Sequence, residues 1–508
     1  MPSAGLETHR ARRGCCPLAR SAASASRQRS ARDRLLALQF NSIAFLVFFP
    51  IVWAAYWLLR SPGQRLPLIA LASFFFYGWW DWRFLSLIGL SIAVDYGCGL
   101  ALGRTDRDAR RRLILGLSLG VNLGVLALFK YFDFFAESAS DLLGVLGFAA
   151  DRITLELILP LGISFYTFQT LAYTIDVYRR RVEPCRDPVL FACYVSFFPQ
   201  LVAGPIERAQ RLLPQLAVFQ RLAWRPQFDG LALIVQGFFK KLVVADNLSF
   251  VVEQVFAGGR APDSGWLVLF GVWAFALQIY GDFSGYSDIA RGLSRCLGIE
   301  LVENFRAPYF AQNPQDFWRR WHISLSTWLR DYLYISLGGN RRGSARTYAN
   351  LIATMVLGGL WHGAAWTFVA WGAFHGTLLA VHRAWRSRRE TQPPRGKPVQ
   401  LLQALLMFQF VSLGWLLFRA ESISQVGAML SVMATSWAFD SDAIYMARYL
   451  VHFGWAIVLM QGVRFFTDRT PAESGSRSLT AVCAIYMLLH IYEEGVLTRG
   501  AQFIYFQF

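Results

Sequence analysis

The chain has 508 residues, 55% hydrophobic and 16% charged, with a net charge of +17 and a mean hydropathy of +0.35. Soluble domains carry about 25% charged residues. This composition, gathered into long apolar runs, excludes a soluble globular enzyme and a disordered chain. The arginines sit in short loops between those runs, the positive-inside pattern of an integral membrane protein, so the basic excess does not signal nucleic-acid binding. Seven cysteines are scattered apart from the Cys15-Cys16 pair, with no CxxC. Neither a disulfide framework nor a zinc site is expected.

In chain order, residues 1–37 form a basic, low-complexity tail with eight arginines against Glu7 and Asp33. It stands apart from a single membrane domain over residues 38–508. A span needs about 20 apolar residues. Runs of that kind cover 41–59, 66–80, 84–103, 113–132, 157–177, 228–246, 264–281, 399–418, 447–463 and 479–492. Shorter or broken stretches lie near 187–204, 347–381 and 424–436. The expected fold is all-α and polytopic, with about ten to thirteen membrane helices, some short or re-entrant.

Charge sets the orientation. The loop Arg104–Arg112 carries five arginines and the loop Arg179–Arg186 carries four, so both are expected in the cytoplasm. The loop between them holds Asp133, Glu137, Asp141, Asp151 and Glu156 against Arg152 alone and is expected outside. Counting back through three spans puts residue 40 outside, in conflict with the basic tail before it. An upstream false start, with the working protein beginning near Leu38, resolves the conflict. A transit peptide and a tolerated exception are the other readings.

The segment Gln278–Asp288 interrupts membrane-grade sequence with Asp282, Ser284, Tyr286 and Asp288. It is either a helix end reaching water or the polar lining of a cavity. The next segment, Asn313 to Gly339, reads as one amphipathic helix. Asn313 caps it, Pro314 opens it, Asp316 suits its positive start and Gly338-Gly339 ends it. Phe317, Trp318, Trp321, Leu325, Trp328, Leu329, Tyr332 and Ile335 share one face at 100° per residue. Arg319, Arg320, Ser326, Thr327, Arg330 and Asp331 share the other. Such a helix suits the membrane interface. His322 falls at the edge of the apolar arc and is expected to point inward or sideways.

Residues 347–381 are apolar and bounded by arginines on both sides, so they cross an even number of times, as two short spans or a deep hairpin. His362 lies near the middle of that stretch. No other histidine, acid or base occurs between Arg346 and His375. An unpaired charge there is costly, so a neutral imidazole is expected, and a neutral imidazole can act as a general base. A histidine hydrogen-bonded between helices is the plainer alternative. His375 and His382 are left out of the chemistry.

At this point the chain resembles the membrane-bound O-acyltransferase family in its bacterial alginate O-acetylation, AlgI-like branch. The resemblance rests on several segments together: Pro160–Gln169, Phe198–Ile206, Gln278–Asp288, Phe317–Ser326, Gly359–Gly363 and the terminal Phe503–Phe508. It runs from about residue 40 to the end. It implies a ring of helices around a thinned, funnel-like centre in the bacterial inner membrane. It also implies two functional histidines, which map to His322 and His362.

Under that resemblance, His362 is expected as the base and His322 as an orienting or oxyanion-stabilising group. Asp282 and Asp288 are candidate supports for the imidazoles. Arg319, Arg320, Arg330, Arg341 and Arg342 form an inner basic face suited to an anionic donor such as acetyl-CoA, although topology anchoring and lipid contact explain them as well. No tightly bound cofactor or metal is expected. The expected partners are membrane lipid, an exopolysaccharide acceptor and a periplasmic transfer protein, with no nucleic acid. A transporter or flippase for a lipid-linked glycan and a non-catalytic export scaffold are the competing readings. The first should show coupling-ion carboxylates inside its spans.

Overall fold

A computed structural model describes residues 40–148, 154–155, 157–387, 396–467 and 477–495. The basic tail and the terminal Phe503–Phe508 segment lie outside the described residues.

Among the described residues the fold is helical, and its outermost helices face lipid. Helix α1 (Ile43–Leu58) starts where the Ser42 side chain accepts the Phe45 N–H at 3.1 Å. Helices α2 (Pro62–Asp81) and α3 (Leu85–Gly103) follow, joined by a 3₁₀ turn at Trp82–Phe84. Helix α4 (Asp108–Leu126) passes through a π-helical turn, Ala127–Tyr131, into α5 (Phe132–Val145). Large apolar side chains such as Ile43, Leu58 and Leu113 stand exposed on these helices. That is what a hydrocarbon solvent requires and water would penalise.

Helix α6 (Ile163–Tyr178) turns the chain back inward and is buried along nearly its whole length. It begins at 163, not 157, because Pro160–Gly162 form a turn whose Gly162 takes φ +73°. Three short helices, α7 (Pro188–Ser196), α8 (Phe198–Leu201) and α9 (Ala209–Ala217), cover the 187–204 stretch and its exit. Helix α10 (Trp224–Phe238) leads through a second π-helical segment, Phe239–Ala245, into α11 (Asp246–Phe256).

The centre is α12 (Gly265–Cys296), 32 residues long, or about 48 Å at 1.5 Å per residue. Helices α10 and α11 pack against it, as do the later helices α17 (Lys397–Arg419), α18 (Ile423–Thr435) and α19 (Ser441–Thr467). Between α12 and α17 lie α13 (Pro314–Arg320), α14 (Ile323–Trp328) with a π-helical turn at Leu329–Tyr334, α15 (Ser344–His362) and α16 (Trp366–Arg386). Helix α20 (Arg477–Glu494) closes the described chain.

The expected spans correspond to these helices nearly one for one. Among the described residues, five continuous helical runs are long and apolar enough to cross a membrane by length and composition: Pro62–Gly103, Asp108–Val145, Gly265–Cys296, Lys397–Arg419 and Ser441–Thr467. The 347–381 stretch is the helical hairpin α15–α16, and His362 ends α15 rather than lying within a helix.

The two arginine loops meet at one end of the molecule. Arg180 pairs with Asp106 at 2.7 Å, and Arg111 donates to the Leu102, Thr105 and Tyr178 carbonyls. Arg179 reaches the Asp331 carbonyl and the Ser336 hydroxyl, so the end of the π-helical turn after α14 lies there too. By charge this is the cytoplasmic end.

Candidate functional site

The segment expected to be one amphipathic helix is broken at the histidine. Asn313 caps α13 as expected, accepting the Asp316 N–H at 2.9 Å. The chain then leaves helical geometry at Trp321, and His322 takes φ +42° in the left-handed region. No glycine or proline dictates this. A left-handed residue with a side chain costs about 1–2 kcal/mol, and tertiary bonds hold it. The Asn304 carbonyl accepts the Ile323 N–H at 3.0 Å, and its Oδ1 accepts the Ser324 N–H at 3.2 Å. The Ser324 hydroxyl in turn accepts the Ile206 N–H at 3.0 Å. The break lets Phe317, Trp321, Leu325, Trp328, Leu329 and Tyr332 all enter the core, while Ile335 remains exposed. The segment is therefore a buried, broken element rather than a helix lying on the interface.

His322 is fully buried, at 0% exposure. Its ring lies edge-on to Phe283 of α12 at 4.6 Å, 6.5 Å from Phe165 and 6.1 Å from Trp361. His362 is 5% exposed and ringed by Trp361 at 5.0 Å, Trp371 at 5.1 Å and Phe418 at 5.3 Å. The Trp361 indole thus contacts both imidazoles, and their separation cannot exceed the sum of those two distances. Phe165 and Phe168 of α6 pack on the same indole at 5.3 Å each, and Phe168 stacks on Trp328 at 3.9 Å. The described segments that carried the family resemblance therefore converge in space.

His362 lines a recess of about 60 Å³ with Lys130, Leu159, Pro160, Phe165 and Trp361. Helix α4 climbs away from the cytoplasmic arginine loop toward this recess, and α6 descends from it. The recess therefore lies toward the outer end.

The two aspartates of α12 are both engaged by lysines. Asp282 pairs with Lys241 at 2.8 Å, and Lys241 also binds Asp246 at 2.8 Å. Asp288 pairs with Lys240 at 2.6 Å and accepts from Gln236 at 2.7 Å. Both lysines come from the π-helical segment after α10, inside the predicted span 228–246, and sequence reasoning passed over them. Of the two readings of Gln278–Asp288, the cavity lining is correct in part. Tyr280, Ser284, Ser287 and Asp288 border a polar cavity of about 40 Å³ with Asn304, Glu303 and Arg464, whereas Asp282 does not.

The inner arginines divide. Arg319 and Arg320 join Arg306, Arg464 and Asp316 around a recess of about 220 Å³. Arg320 is held by Asp316 at 2.8 Å and Arg306 by Glu303 at 2.8 Å. Arg330 instead pairs with Asp331 at 2.7 Å, and it, Arg341 and Arg342 lie outside that recess. His375 is buried against Phe317, Trp318 and Trp371. Among the described residues no group of three His, Cys, Asp or Glu side chains is arranged to hold a metal ion.

Asp95 was also missed. It lies inside α3, fully buried, and accepts hydrogen bonds from Ser118 (2.5 Å), Asn122 (2.7 Å) and Thr174 (2.7 Å). Its carboxylate ties α3 to α4 and α6 through neutral donors.

Comparison with known proteins agrees with this geometry. The membrane-bound O-acyltransferase (MBOAT) family matches residues 186–418, which hold both histidines. A probable alginate O-acetylase AlgI of Azotobacter vinelandii is 37% identical over 92% of this chain and 100% of its own. The corresponding Pseudomonas putida protein is 38% identical over the same shares. A peptidoglycan O-acetyltransferase of Helicobacter pylori is 38% identical over 79% of this chain and 80% of its own. With its polytopic helical fold, the chain belongs to the membrane-bound O-acyltransferase family, in the AlgI-like branch, as a multi-pass enzyme of the bacterial inner membrane.

Proposed function

We propose that this enzyme moves an acetyl group from acetyl-CoA on the cytoplasmic side to a hydroxyl of an exopolysaccharide of the alginate type, with His362 as general base. The observation that carries the reading is the pair of buried imidazoles on one indole, beside a recess directed away from the arginine loops. The acceptor oxygen forms a bond to the thioester carbonyl carbon while its proton passes to His362. The C–S bond then breaks, and the proton leaves with the thiolate. His322 orients a reactant or steadies the developing oxyanion. The basic recess of Arg306, Arg319, Arg320 and Arg464 suits the phosphates of the donor. Delivery to the polymer through a periplasmic partner protein belongs to the same reading, on family resemblance.

The test replaces His362 and His322 separately with Ala and measures acetyl esters on the secreted polymer. Positioned base catalysis contributes about 10²–10⁴-fold, so a loss of that order is expected for His362→Ala with membrane insertion intact. Unchanged acetylation in both variants refutes the mechanism.

A further inference from the structure

Helix α15 ends at His362 because Gly363 turns extended, at φ −159°. The last four carbonyls of a helix have no partner within it. Each of the four is nevertheless bonded. The Gly359 carbonyl accepts the Gly363 N–H at 3.3 Å. The Leu360 carbonyl accepts the Tyr131 hydroxyl at 3.0 Å. The Trp361 and His362 carbonyls both accept from the Lys130 ammonium, at 2.7 and 3.0 Å. Lys130 and Tyr131 are neighbours in the π-helical turn Ala127–Tyr131, a rare geometry that recurs at functional sites.

The choice of residue is informative. The chain has only four lysines, Lys130, Lys240, Lys241 and Lys397, so 46 of its 50 basic residues are arginine. Lysine is thus largely kept for the interior, where a compact ammonium offers three donors. A cation also complements the negative end of a helix.

We propose that Lys130, assisted by Tyr131, is a positioning residue for His362: it holds the final turn of α15 and thereby sets the direction of the imidazole beside the recess. This rests on His362 being the base. Without Lys130 two carbonyls lose their bonds where water is scarce, and the turn can rotate or fray. A displacement of about 1 Å at a reacting group can cost 10²-fold in rate.

The experiment compares Lys130→Met, Lys130→Arg and Tyr131→Phe in the full-length protein in membranes, measuring kcat, KM for the donor and thermal unfolding. Lys130→Met is expected to lower kcat per folded molecule about 10- to 100-fold with donor KM unchanged. Lys130→Arg should restore part of that rate. Tyr131→Phe, the milder change should Lys130→Met not fold, should lower kcat about three- to tenfold. Wild-type kcat per folded molecule in Lys130→Met, or in Tyr131→Phe where Lys130→Met does not fold, overturns the proposal. A loss explained wholly by donor KM overturns it as well. An active His362→Ala protein would instead defeat the base assignment, so the two failures are distinguishable.

Discussion

The hairpin that carries His362 is packed so closely that one methyl group should disable the enzyme. Gly359 lies one turn before His362 and faces α16. A Cβ placed there would sit 2.2 Å from the Phe368 carbonyl oxygen, where ordinary contact begins at 3.4 Å. That neighbour is backbone and cannot rotate away. Gly372 on the opposing helix is equally tight, 2.3 Å from the Met355 carbonyl oxygen. Gly359→Ala must therefore separate α15 and α16 by about 1 Å, because packed interiors leave no slack. Overpacking of this kind costs about 1–3 kcal/mol, and the displaced imidazole about 10²-fold in rate. The controls are Gly116→Ala and Gly120→Ala on α4, where nothing lies within 4 Å of the added carbon. There Ala should stabilise the helix by about 0.5–1 kcal/mol. The assay is acetyl-ester yield per membrane-inserted molecule, with thermal unfolding in detergent beside it. Wild-type yield and stability in Gly359→Ala would refute the argument that a rigid glycine seam places His362.

Two further expectations follow from buried polar groups. Asn304→Ala removes the acceptor of the Ser324 N–H and the donor to Ser287, leaving a buried amide unbonded at about 1–3 kcal/mol. Turnover per folded molecule should fall more than about tenfold as the left-handed turn at His322 relaxes; unchanged turnover means that the turn holds itself. Asp95→Ala deletes the acceptor of three donors on α4 and α6 and should lower stability by about 2–4 kcal/mol. Turnover per folded molecule should stay at the wild-type level, and a loss of turnover without a loss of stability would give Asp95 a catalytic role instead.

The spans were legible because hydropathy is a sum over many residues, and no single misread position changes it. His362 was legible because it is an isolated imidazole among apolar neighbours. The break at His322 was not. The i, i+3 and i+4 pattern runs unbroken through Trp321 and Leu325, and the residues that impose the left-handed turn are Asn304 and Ile206, far away in sequence. The same applies to the ion pairs. Asp282 and Asp288 advertise themselves by sign, yet their partners could only be suspected by asking why span 228–246 contains Lys240-Lys241. The recess of Arg306, Arg319, Arg320 and Arg464 joins segments more than a hundred residues apart, so half of it was visible and half was not. The π-helical turns leave no periodic signature in so short a stretch.

Asp95 bears on the choice between enzyme and carrier. A mid-span carboxylate is what a transporter uses to hold its coupling ion, so its presence in α3 calls for an accounting. Three neutral donors already occupy its oxygens at hydrogen-bond distance, and it borders none of the three recesses described above. Asp282 and Asp288 are likewise committed to lysines. These three acids are thus used to join helical segments. His362 lines a recess, as Asp288 also does, but its ring packs among aromatic rings and its own backbone carbonyl is clamped by Lys130. A group held rigidly beside an accessible space is suited to proton transfer, whereas acids tied down by fixed donors are suited to holding the scaffold that aims it.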